Sequence, residues 1–147
     1  MPNGNVDVLL VDDDPDEREL SLHALRAHGV LGRIQVAENG AEALDFLFGT
    51  GAHAQRNLQE QPRMILLDLH MPKVDGLEVL RQVKADPRTR TIPVVLLTSS
   101  QKESDQIRSY ELGVNSYLVK PVDFKQFTDV VRQAGLYWLQ LNQYPRK

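Results

Sequence analysis

Asp12, Asp13, Asp68, Thr98 and Lys120 have types and positions suited to chemistry, because each stands at the end of a mainly apolar run. Val8-Leu9-Leu10-Val11 leads into the two aspartates, Met64-Ile65-Leu66-Leu67 into Asp68, Ile92-Pro93-Val94-Val95-Leu96-Leu97 into Thr98, and Ser116-Tyr117-Leu118-Val119 into Lys120. Apolar runs without polar alternation read as strands buried on both faces, the usual condition in a parallel sheet. In open α/β sheets the carboxyl edge of such strands is where ligands bind. Taken singly, each residue has an ordinary explanation as a loop carboxylate, a strand-end hydroxyl or a surface lysine. Their arrival at one edge together points to a site.

That site has a definite chemistry. The adjacent carboxylates of Asp12 and Asp13 repel each other, and a cation or a raised pKa relieves them. With Asp68 they offer hard oxygen ligands suited to Mg2+, which prefers octahedral oxygen coordination and keeps several waters. The Thr98 hydroxyl and the Lys120 ammonium suit the oxygens of a phosphoryl group. Asp68, as the central carboxylate, can be the nucleophile that receives that group as an aspartyl phosphate. Mg2+ and Lys120 would then stabilise the spread charge. His70 completes the metal site with its backbone carbonyl alone. Its imidazole reads as a solvated or substrate-facing side chain.

The elements that must position these residues alternate along the chain. Asp14 before Pro15 reads as a helix N-cap with proline at the first helical position, and the helix closes at His28-Gly29. A weak strand over 33–36 and a helix over 41–48 follow, then a long exposed connection over 49–63 that holds His53, a solvated loop histidine. Pro72 and Gly76 turn the chain after the central strand, and Val79, Leu80 and Val83 recur at helical spacing. A fourth helix spans about 103–112, and a long helical pattern runs from Val122 toward Tyr144. Such alternation argues a parallel, doubly wound sheet with right-handed crossovers.

Composition narrows the classes of function. The 147 residues are 41% hydrophobic and 25% charged, which fits one domain over 1–147 with no separate output domain. Lys+Arg 17 against Asp+Glu 20 gives a net charge of -3, and without a basic run this offers nothing to nucleic acid. No stretch suits a signal peptide or a membrane span, and the absence of cysteine allows a reducing compartment. A soluble, cytoplasmic protein is expected.

The motifs together resemble the CheY-like receiver domain of bacterial response regulators. Val-Asp-Asp at 11–13, Leu-Leu-Asp-Leu-His-Met-Pro-Lys-Val-Asp-Gly at 66–76, Leu-Thr-Ser at 97–99 and Ser-Tyr-Leu-Val-Lys-Pro at 116–121 carry the resemblance in order and spacing. It implies a five-stranded sheet in the flavodoxin-like order 2-1-3-4-5 with helices on both faces. It also implies a sensor histidine kinase as partner, Asp68 as phosphoacceptor, Asp12 and Asp13 as the acidic metal pair, and Lys120 as the phosphate-binding lysine. Thr98 and Tyr117 are the implied switch residues, and the Lys120–Pro121 bond is implied to be cis. A phosphoacceptor of this kind is not an enzyme, although it can assist its own phosphorylation and dephosphorylation.

A narrower resemblance is to the small single-domain regulators paired with phytochrome-type kinases. It rests on Asp-Pro-Arg-Thr-Arg-Thr-Ile-Pro-Val-Val at 86–95, Ser-Tyr-Glu-Leu-Gly-Val-Asn-Ser-Tyr at 109–117, Lys-Pro-Val-Asp-Phe at 120–124 and Tyr-Trp at 137–138. His70 stands where that subgroup often has Asn. Two alternatives stay open. One is a receiver-like interaction domain that does not use phosphorylation. The other is an Asp-nucleophile phosphatase, which would want an acid where His70 stands. A nucleotide- or flavin-binding module would want a glycine-rich turn after the first strand, where Asp12-Asp13-Asp14 stand instead.

The C-terminal helix carries an expectation of its own. Phe124, Phe127, Val131, Ala134, Trp138 and Leu141 form one stripe to cover the sheet, while Val130, Leu136, Tyr137, Leu139 and Tyr144 lie off it. A helix apolar on more than one face needs a further partner. The segment 136–147 is therefore expected to extend past the sheet and to serve a homodimer.

Overall fold

Period-two alternation along three apolar strands decides the architecture. The computed structural model describes residues 6–27 and 33–143. Strands β1 (Val8–Val11), β2 (Ile34–Ala37), β3 (Met64–Leu67), β4 (Val94–Thr98) and β5 (Ser116–Val119) form one parallel sheet in the order β2-β1-β3-β4-β5. This is the order the resemblance implies. The inner strands β1, β3 and β4 are buried along their whole length, whereas β5 at one edge is only half-buried.

Successive side chains of a strand point to opposite faces, so the sheet divides the apolar residues into two cores. Leu9, Val11, Ile65, Leu67, Val94 and Leu96 face one side. There they meet Phe46 and Leu47 of α2 (Gly40–Phe48) and Val79, Leu80 and Val83 of α3 (Gly76–Ala85). Val8, Leu10, Met64, Leu66, Val95 and Leu97 face the other. They meet Ala24 and Leu25 of α1 (Pro15–Ala27) and Phe127, Val131 and Ala134 of α5 (Phe124–Leu136). Helix α4 (Glu103–Glu111) is attached lightly, with Ser109 as its single buried residue.

Local signals account for most of the boundaries. Asp14 caps α1, its carboxylate accepting from the backbone N–H of Asp16 at 2.9 Å, with Pro15 in the first helical position as expected. Strand β4 begins at Val94, two residues later than the apolar run, because Pro93 has no N–H to give to a ladder. The expected helix end at His28-Gly29 lies outside the described residues. Residues 49–63 are more organised than an exposed connection. Arg56 lies over the Phe46 ring at 3.8 Å and donates to the Glu60 carbonyl at 2.7 Å, and His53 packs edge-on against Phe46 with ring centres 5.1 Å apart. His53 is thus half-buried and not simply solvated.

The end of the last helix departs from the regular stripe. After Leu136 the chain widens into a π-helical turn, Tyr137–Leu141, closed by Asn142 N–H donating to the Tyr137 carbonyl at 2.7 Å. A wide turn takes up an extra residue and shifts the phase of the side chains beyond it. Leu139 therefore turns inward at 4% exposure and Leu141 outward at 61%. Both are opposite to the expectation from a continuous α-helix. Phe124, placed on the inward stripe, is exposed as well, while Trp138 is half-buried against the core. Arg63 fixes the turn by donating from Nη2 to the Leu139 carbonyl at 2.6 Å. Tyr144 lies outside the described residues.

This phase shift has a measurable signature. Leu139→Ala should lower stability by about 2–4 kcal/mol, and Leu141→Ala by less than about 0.5 kcal/mol. Urea unfolding of the two variants checks it, and the reverse ranking would restore the continuous helix.

Candidate functional site

The strand ends are held in register by their own backbone. Asp12 N–H donates to the Ala37 carbonyl at 3.1 Å, Asp68 N–H to the Val11 carbonyl at 2.9 Å, and Lys120 N–H to the Thr98 carbonyl at 2.7 Å. Each reactive side chain therefore starts from a fixed point on the sheet edge. Gly76 tightens the arrangement further. A Cβ there would lie 2.3 Å from the Asp68 carbonyl oxygen, so only glycine lets α3 begin this close to the central strand.

Three of the five expected residues, Asp12, Asp68 and Lys120, come together, with Thr98 at the end of the strand between Asp68 and Lys120. Asp12, Asp68 and Thr98 are buried, and the Lys120 ammonium lies 3.4 Å from Asp68 Oδ1 and 4.0 Å from Asp12 Oδ2. Asp13 is exposed at the rim, close enough for its charge to act on Asp68. A residue not read from the sequence joins them. Glu17, on the first turn of α1, accepts from Lys120 Nζ, and carboxylate oxygens of Asp12, Glu17 and Asp68 lie within 4.8 Å of one another. Its signal was its spacing, three residues after the Asp14 cap, which turns the helix start back over the sheet edge.

Burial and crowded charge set the protonation of this cluster. Desolvation pushes Asp12 up to about 7, against the opposing pull of the Asp14 backbone N–H and of Lys120. Burial raises Asp68 too, partly offset by the charge and hydrogen bond of Lys120. Burial works against the Lys120 charge, but its bond to Glu17 and the charges of Asp68 and Asp12 outweigh that and hold its pKa up. A close set of buried carboxylates with raised pKa values is what a hard divalent cation would relieve, and these oxygens fit Mg2+ in donor type. Of the expected metal residues, Asp12 and Asp68 stand in this close group, with Glu17 as its third carboxylate.

A second network lies beside the cluster. Thr98 Oγ1 accepts from Ser100 N–H at 3.1 Å, and Tyr117 Oη donates to the Ser100 carbonyl at 3.0 Å. Ser100 Oγ donates to Asp105 Oδ2 at 2.5 Å, and the exposed His70 imidazole stands 3.6 Å from the same carboxylate. Tyr117 is thus tied to the loop after Thr98, and Ser100 and Asp105 complete a connection the sequence did not announce. The Lys120–Pro121 bond is trans, since among the described residues no peptide bond is cis. The expected cis bond is corrected. The small preference of an X–Pro bond lets either form stand.

An aspartate cluster facing a lysine and a threonine across a doubly wound parallel sheet defines a class of phosphoryl-handling signalling domains. The chain belongs to the response regulator receiver domain family, whose model matches residues 8–132. The probable methanogenesis regulatory protein FilR2 of Methanothrix harundinacea is 44% identical over 141 residues, covering 94% of this chain and 86% of that protein. The crystal structure of the phosphorylated cyanobacterial phytochrome response regulator RcpA superposes with a TM-score of 0.89 at 34% identity, covering 97% of this chain and 100% of that one. The Mn2+-bound form of the response regulator Rcp1 superposes with a TM-score of 0.88 at 35% identity over 96% and 99% of the two chains. Rcp1 is a Synechocystis protein.

The raised pKa of Asp12 has a sign that can be tested. A carboxyl whose folded-state pKa is about 7 against an ordinary 3.8 binds its proton more tightly when folded. In metal-free buffer the wild type should lose stability relative to Asp12→Asn as pH rises from about 4 to 7. Mg2+ should then raise the wild-type melting temperature more at pH 8 than at pH 6. Melting curves that run parallel for the two proteins across that range would contradict the assignment.

Proposed function

We propose that this chain takes a phosphoryl group onto Asp68 from a sensor histidine kinase of the phytochrome type. The observation that carries the reading is the Lys120 ammonium, on a side chain 10% exposed, set within reach of Asp68 and Asp12, with buried Thr98 on the neighbouring strand. A carboxylate oxygen of Asp68 bonds to phosphorus as the P–N bond of the kinase phosphohistidine breaks, and the imidazole leaves with that electron pair. Lys120 meets the charge on the transferring oxygens, and Thr98 supplies a hydroxyl for one of them. Mg2+, held by Asp12, Asp13, Asp68 and the His70 carbonyl, would supply the remaining charge neutralisation. The same residues assist phosphorylation and dephosphorylation of the chain itself, so it serves as phosphoacceptor and turns over no separate substrate. The phytochrome partner is supported by the likeness to RcpA and Rcp1. The absence of cysteine is compatible with the cytoplasm.

The output is carried by the second network. A phosphoryl oxygen that draws Thr98 away from Ser100 frees the loop on which Tyr117 is anchored. The ring then moves toward the vacated space, and the surface of α4 and β5 changes for a protein partner. Asp68→Asn keeps the shape and removes the nucleophile. It should take up no label from phosphorylated kinase under conditions in which the wild type labels fully, and labelling at the wild-type rate would move the acceptor elsewhere.

The segment from Leu136 onward is read as a homodimer surface, with no part in binding nucleic acid or membrane. Leu136, Tyr137 and Leu141 remain exposed after the π-helical turn has buried Leu139. Each large side chain buried contributes about 1.5–3 kcal/mol, which in sum holds two chains together. Sedimentation at micromolar concentration should give a dimer that truncation after Gly135 turns into a monomer. A wild-type monomer unaffected by the truncation would end the idea.

A further inference from the structure

Lys120 has one carboxylate neighbour more than the phosphoacceptor chemistry requires. Its ammonium donates to Glu17 and stands farther from Asp68 and Asp12, at 3.4 and 4.0 Å. Glu17 does not reach it by chance of a loose side chain. Asp14 accepts from the Glu17 backbone N–H at 3.3 Å, and Arg18 donates from Nη1 to the Asp12 carbonyl at 2.9 Å. The first turn of α1 is thereby fixed to the end of β1, and the Glu17 carboxylate is delivered over the site.

We propose that Glu17 is a positioning residue that holds Lys120 back in the unphosphorylated state and releases it to the phosphoryl oxygens. The inference rests on the reading of Asp68 as acceptor. Exposure decides which partner Lys120 gives up. The Glu17 side chain is 33% exposed, whereas those of Asp12 and Asp68 are 5% and 10% exposed. A released Glu17 carboxylate rehydrates at little cost, while the more deeply buried Asp12 would lose a counter-charge that water replaces poorly. A phosphoryl group on Asp68 brings new negative oxygens within reach of the same ammonium, and Glu17 is the partner that water can replace. Glu17 therefore stabilises the resting state and weighs against the phosphorylated one. It sets how strong a signal is needed to convert the domain.

Beryllofluoride, which adds to a carboxylate as a phosphoryl mimic, tests this at saturating Mg2+. Glu17→Gln removes the charge, and Glu17→Asp keeps it while drawing the carboxylate back from Lys120. Both variants should bind beryllofluoride about three- to ten-fold more tightly than wild type, with melting temperatures of the free proteins confirming that each is folded. Equal or weaker binding by Glu17→Gln overturns the role. Tighter binding by Glu17→Gln alone, with Glu17→Asp like wild type, overturns it also, since the effect would then be bare repulsion and not the contact. A loss of Mg2+ affinity in Glu17→Gln as large as in Asp12→Asn would make Glu17 a metal ligand instead. A wild type that binds no beryllofluoride overturns the acceptor reading itself, an outcome distinct from the other three.

Discussion

One half-buried ammonium facing too many carboxylates is the constraint on which the rest of the structure turns. Lys120 is shared among Glu17, Asp68 and Asp12, and Asp13 adds its charge from the rim. Such a cluster is costly wherever water is excluded, and a single cation cannot settle it. Burial raises the pKa of both Asp12 and Asp68, which is the site's own expression of that cost. A fold that only needed stability would place apolar residues there. The parallel sheet instead brings the ends of β1, β3 and β5 together and leaves the imbalance in place.

The two cores make this possible. Each inner strand is apolar on both sides, so the sheet draws its stability from α2 and α3 on one face and α1 and α5 on the other. The polar residues after each strand are free to differ in charge and to be set by function, with their backbones still tied to neighbouring strands.

The same division decides how much was legible in the sequence. Asp12, Asp68, Thr98 and Lys120 could be found because each closes an apolar run, and such runs set both the strand and the edge. Sheet order and the two layers of helices were likewise carried by the motifs. Glu17 was hidden because an acid in the first turn of a helix has an ordinary capping explanation, and its partner lies 103 positions away. The π-helical turn at Tyr137–Leu141 was hidden for a related reason. Its carbonyl at Leu139 is met by Arg63, 76 positions earlier, and no local periodicity reports a contact of that kind. The half-buried His53 also depends on a neighbour that the local sequence does not name, the Phe46 ring.

The lightly attached α4 gives the site an asymmetry. On one side Gly76 packs its helix against the backbone of Asp68 with no room for even a methyl group. That wall is stiff. On the other side α4 buries only Ser109 and is held at its start by Ser100 and Asp105. Little apolar surface has to be exposed for α4 to loosen, so its free energy of local opening is far below that of the sheet. A stress applied at Asp68 meets a rigid support behind it and a compliant one beside Thr98. A displacement starting there would meet less packed apolar surface on the α4 side than behind Gly76.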